Sequence, residues 1–60
     1  MKDRWLVIVE EIETKQQVKV MGPMSERDAA RTVRGVQINL NIDDYTVYQE
    51  REEIVNSLNN

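Results

Sequence analysis

The side chains able to do chemistry in this chain are few, and their spacing brings little of it together. There is no His and no Cys among the 60 residues. That removes imidazole bases, thiolate nucleophiles, disulfides and nearly every zinc site. A nucleophile–base pair would have to be built from Ser25, a threonine or a lysine, and Ser25 stands where a helix needs its cap. Asp43 and Asp44 are neighbours in a turn-rich run, where adjacent carboxylates seldom converge on one cation. The only glycines are Gly22 and Gly35, so no glycine-rich loop cradles a phosphate. The expectation is a protein with no catalytic residues, no metal ligands and no cofactor: not an enzyme.

Charge leaves two further readings. Arg27, Arg31 and Arg34 fall four and three residues apart, which makes one stripe on a helix. Such a stripe could contact nucleic-acid phosphates. With Glu26 and Asp28 beside it, no second basic cluster and a net charge of -3, it reads better as a solvated face, and the balance argues against nucleic acid. The 11 acidic residues invite the opposite idea, mimicry of DNA phosphates. Surface solvation accounts for most such patterns.

The elements that hold these side chains can be read in order. Trp5-Leu6-Val7-Ile8-Val9 is aromatic and β-branched with apolar residues facing both ways, and Ile12 extends its even-numbered face. A strand of that kind is usually central in its sheet. Thr14-Lys15-Gln16 is a polar turn, and Gln17-Val18-Lys19-Val20-Met21 alternates as an edge strand, with Lys19 discouraging further pairing. Gly22-Pro23 is expected to end that strand, since proline lacks the donor a ladder needs. Ser25 then caps a helix, with Asp28 three residues on as an Asp variant of the capping box and Met24 poised to staple against Ala29. Ala29, Val33, Val36 and Leu40 share a helical face, which carries the helix to Ile38 or Asn39. The competing end is a left-handed cap at Gly35, freeing Val36, Ile38 and Leu40 to alternate as a strand. Asn39 to Asp44 is turn-rich, and Tyr45-Thr46-Val47-Tyr48-Gln49 is a third strand. Beyond Glu50, Arg51, Ile54, Val55 and Leu58 recur at helical spacing, so residues 51–60 read as a tail or a short second helix.

Connectivity turns these elements into a fold. A hairpin, a returning helix and a third strand let the third strand pair antiparallel with the first. The expected class is α+β: ββαβ, a three-stranded antiparallel sheet in order 2-1-3 with one helix on one face, in a single domain over 1–60 whose ordered core spans about 4–50. One helix covers one sheet face. The other keeps apolar side chains that could form a homodimer or partner contact, unless the tail covers them through Ile54, Val55 and Leu58. The uncovered face carries either Trp5, Val7 and Val9 or Leu6, Ile8 and Ile12 from the first strand, beside Tyr45 and Val47 or Thr46 and Tyr48 from the third; the expected partner surface is Leu6, Ile8, Ile12, Thr46 and Tyr48. Trp5 reads as core rather than interface anchor. A chain this short buries a thin core, which is a further reason to expect self-association.

No apolar run here is long enough to span a bilayer, and Met1 to Trp5 lacks the features of a signal peptide, so a cytoplasmic protein with no membrane role is expected.

The run Gly22-Pro23-Met24-Ser25-Glu26-Arg27 with Ala29 and Gly35, then Ile38-Asn39-Leu40-Asn41 and Tyr45-Thr46-Val47, resembles a set of very small bacteriophage proteins with a Trp-led hairpin. The likeness spans about residues 5 to 48. It implies expression in the cytoplasm of an infected bacterium and a non-enzymatic module that binds and modulates a host protein, whose identity it does not supply. Members often carry a basic residue where Asp28 stands, and this departure weakens the alternative of a nucleic-acid-binding or transcription-modulating factor using Arg27, Arg31 and Arg34. A weaker likeness is to the arm-binding domains of phage integrases. Those are typically basic on the sheet and place the helix after the third strand, and this chain does neither.

Overall fold

The computed structural model describes residues 4–53. Its elements are β1 (Trp5–Glu11), β2 (Gln17–Met24), α1 (Glu26–Asn39) and β3 (Tyr45–Arg51). Both pairings are antiparallel and the sheet order is β2-β1-β3. The doubly apolar strand is therefore central, as its composition requires.

The two faces of β1 bury separately. Val7 and Val9 join Ala29 and Val47 in one core, with Trp5, Met21, Met24, Val33, Val36, Leu40 and Tyr45 packed around it. Leu6 and Ile8 form the second cluster, against Tyr48 on the far side of the sheet. Trp5 lies on the helix side, half-buried, with the Arg51 guanidinium 5.7 Å from its ring centroid. It is part of the core, and the cation sits where an aromatic face attracts it.

Ser25 caps α1: its hydroxyl accepts the Asp28 backbone N–H at 3.1 Å. Only this half of the capping box forms among the described residues, because the Asp28 carboxylate faces Arg31 at 4.0 Å. The helix passes through Gly35 to Asn39, and Leu40 closes it with its N–H on the Gln37 carbonyl. A glycine inside a helix costs about 0.5–1 kcal/mol. Burying Val36 and Leu40 against the sheet gains more, so the long helix wins over a cap at Gly35.

Gly22-Pro23 does not end β2, contrary to the sequence expectation. The strand continues to Met24, which pairs with Trp5. Between the pairs Val7↔Met21 and Trp5↔Met24, one residue of β1 faces two of β2, a bulge that takes up Gly22 and Pro23. A bulge is one place where a sheet tolerates proline. Gly22 is required there. Its φ is +117°, and a Cβ would lie 2.8 Å from the Trp5 carbonyl oxygen.

The tail expectation falls largely outside the described residues. Glu52 and Glu53 are helical in backbone conformation, and the Glu52 N–H donates to the Arg4 carbonyl at 2.9 Å.

Candidate interaction site

The expected partner surface is only in part a surface. Leu6, Ile8 and Tyr48 do share the face turned away from α1. Yet Leu6 is 8% and Ile8 1% exposed, so neither is available to a partner in this conformation. Tyr48 is half-buried and donates its hydroxyl to Glu10 Oε1 at 2.8 Å. Burial, reinforced by that carboxylate, holds the phenol above its ordinary pKa, with Gln17 opposing. Thr46 is exposed, paired with Glu10, and Ile12 lies just beyond the strand end with its N–H on the Asp44 carbonyl.

The arginine stripe is exposed along its length. Arg31 approaches Asp28, and both side chains remain more than half in water. This is a solvated helix face, and an ion pair so exposed holds little in place.

The carboxylates of Glu11, Glu13, Asp43 and Asp44 border a small hollow at the turn end of the sheet. No group of three or more carboxylates among the described residues is placed to hold a metal ion. Asp43 and Asp44 have a structural part. Asn41 accepts the Asp43 N–H through its side-chain oxygen and donates its amide to the Asp44 carboxylate at 2.7 Å. The Asn41 carbonyl also takes the N–H groups of Asp44 and Tyr45. Together these bonds set the turn that launches β3.

A different concavity stands out. The helix packs mainly over β3 and β1, so the helix-facing side of β2 is only partly covered. Between α1 and β2 this leaves an apolar groove of about 710 Å³, lined by Val18, Lys19, Met21, Gly35, Val36 and Leu40 among others. Its outer wall is the free edge of the sheet, since β2 pairs with β1 alone among the described residues. Val18 is 54% exposed on that edge. It is the extra residue of a second β2 bulge, between the pairs Val9↔Lys19 and Glu10↔Gln17. On the helical wall Gly35 presents no side chain, and a Cβ there would meet nothing within 4 Å.

Sequence reasoning passed over this groove. Its signals were faint: a glycine kept inside a long amphipathic helix, and a valine at the edge of a sheet. The groove exists because the helix sits off-centre, which no periodicity reports.

No protein-family model, curated protein or solved structure matches the chain. The reading of function therefore rests on the geometry above.

Proposed function

We propose that this chain is a small, non-enzymatic protein-interaction module that binds a partner by adding one of the partner's extended segments to the free edge of β2. The observation that carries the reading is the coincidence of that unpaired edge with the apolar groove behind it. An added strand satisfies its main chain on β2 and turns alternate side chains into the groove. Lys19 lines the same groove, so the favoured segment alternates apolar residues and carries an acidic one. The resemblance to small bacteriophage proteins supplies the setting, the cytoplasm of an infected bacterium, and makes a host protein the partner.

The variant Gly35→Gln tests this directly. Its side chain projects from an open helical position over the groove, and glutamine suits a helix better than glycine. Val18→Asp places a charge on the edge. In capture from infected cells, both variants are expected to lose a partner that the wild-type protein retains, while charge reversal of Arg27, Arg31 and Arg34 leaves capture unchanged. Capture that survives both groove variants overturns the proposal. Loss on arginine reversal alone, with nucleic acid in the captured material, overturns it in favour of a nucleic-acid role. A self-associated species in sedimentation that Val18→Asp dissociates would make the occupant a second copy of this chain.

A further inference from the structure

Hydrogen bonding within the sheet decides which main-chain groups of β2 face its free edge. Glu11 gives its N–H to the Gln16 carbonyl on the β2 side of β1, and Ile12 gives its N–H to the Asp44 carbonyl on the β3 side. Main-chain groups alternate from one side of a strand to the other, and β1 pairs with β3 residue for residue from Trp5 to Glu11. The odd-numbered residues of β1 therefore bond to β2. Val9↔Lys19 and Val7↔Met21 are hydrogen-bonded pairs, while at Ile8↔Val20 the main chain of β2 turns outward. Val20 is thus the one residue between the two bulges that offers both its N–H and its carbonyl to a new strand. Gln17 also turns outward, opposite Glu10, but the extra Val18 leaves it three residues from Val20. A regular strand in register with one is out of register with the other. Pro23, in the other bulge, has no N–H to give.

Side chains divide in the same way. Lys19 and Met21 line the groove on the helix side, and Val20, beside Ile8, is 49% exposed on the opposite face. We infer, resting on strand addition at this edge, that the partner's segment is a short antiparallel strand centred on an apolar–apolar–acidic triplet. Its middle residue exchanges both hydrogen bonds with Val20 and lays an apolar side chain against that valine, on the face away from α1. The residues on either side of it point the other way, into the groove. In an antiparallel strand the preceding residue stands opposite Met21 and takes an apolar side chain. The following one stands opposite Lys19 and takes a carboxylate. Both are non-hydrogen-bonded pairs, the kind in which Cα atoms come within about 4.5 Å and side chains lie closest. Charge therefore sets direction as well as register, because a parallel strand would need the three residues in reverse order. Antiparallel addition continues the pairing of this sheet and is the slightly more stable kind. Apolar contact on both faces separates this partner from a strand that is apolar towards the groove alone. The flanking bulges hold the match to about this length.

Short peptides blocked at both ends test this when titrated at millimolar concentration into isotope-labelled full-length protein. The probe Ser-Thr-Val-Ile-Glu-Thr-Ser is expected to protect the Val20 amide from exchange. It should also give α-proton cross-peaks from Lys19 to the peptide Glu and from Met21 to the peptide Val. Replacing the peptide Ile by Thr, replacing its Glu by Lys, or reversing the central triplet should each weaken binding by about fivefold. In Lys19→Glu protein the preference between the Glu and Lys peptides should invert. Equal affinity for all the peptides, tightest binding by the reversed triplet, or a preference that Lys19→Glu leaves unchanged overturns the inference and leaves strand addition standing. So does a captured partner that protects the edge amides when no peptide does. If neither the peptides nor the captured partner touch the edge, strand addition fails and this inference fails with it.

Discussion

Gly22 and Gly35 show how differently the same residue type can be used. At Gly22 the backbone has a positive φ and the Trp5 carbonyl oxygen occupies the space of a Cβ. Gly22→Ala is expected to cost roughly 2 kcal/mol or more in urea unfolding, through backbone strain and the displaced Trp5 peptide. At Gly35 the space is open and the backbone helical, so Gly35→Ala is expected to stabilise by about 0.5–1 kcal/mol. The opposite signs separate a glycine demanded by the bulge from one whose lack of a side chain keeps a groove clear. Tyr48 adds a pH dependence. Its folded-state pKa lies above the ordinary value of 10.0, chiefly through burial and then through Glu10. The folded protein thus holds the phenolic proton more tightly than the unfolded chain. That contribution is complete below the unfolded pKa and is lost as pH rises through it and past the folded value. Wild-type protein should accordingly lose more stability than Tyr48→Phe when denaturation is followed from neutral pH to strongly alkaline conditions. Equal losses would contradict this account of the site.

At the scale of elements, the chain was most legible where several local signals coincide. Ser25, Asp28 and the apolar residues from Ala29 onward each indicate a helix start, and the structure places the cap at Ser25. Ser25→Ala is expected to lower stability by about 1 kcal/mol, since it leaves the Asp28 N–H without its acceptor. Thermal unfolding of the two proteins checks this. The strand order was equally legible, because only a central strand is apolar on both faces. Legibility failed at Gly22-Pro23, where local chemistry says stop and tertiary pairing says continue. Trp5 secures Met24 across the sheet, and the bulge absorbs the proline. A one-dimensional pattern cannot anticipate that accommodation, because the partner strand supplies it. The groove was hidden for a related reason. Periodicity gives the face of α1 that packs, but not which strands that face will favour.

For the whole molecule, the consequence is a shift in where contact with another protein is expected. Reading one helix against a three-stranded sheet puts the free surface on the opposite face, at Leu6, Ile8 and Tyr48. Leu6 and Ile8 are instead withdrawn from solvent, while Val20 beside Ile8 and Val18 on the open strand edge are both about half exposed. No helix among the described residues is long and apolar enough to cross a membrane. Arg27, Arg31 and Arg34 form one exposed stripe on α1, with Arg31 facing Asp28. A thin core and a free edge suit a protein that gains order from what it binds, since a partner strand would close the remaining edge. The most direct test is amide mapping of isotope-labelled protein with its captured partner. New exchange protection on the outer-edge amides of Gln17 to Met21, with shifts at Gly35 and Asn39, is the predicted result. Changes confined to Arg27, Arg31 and Arg34, or to the Leu6–Ile8–Tyr48 face, would contradict it.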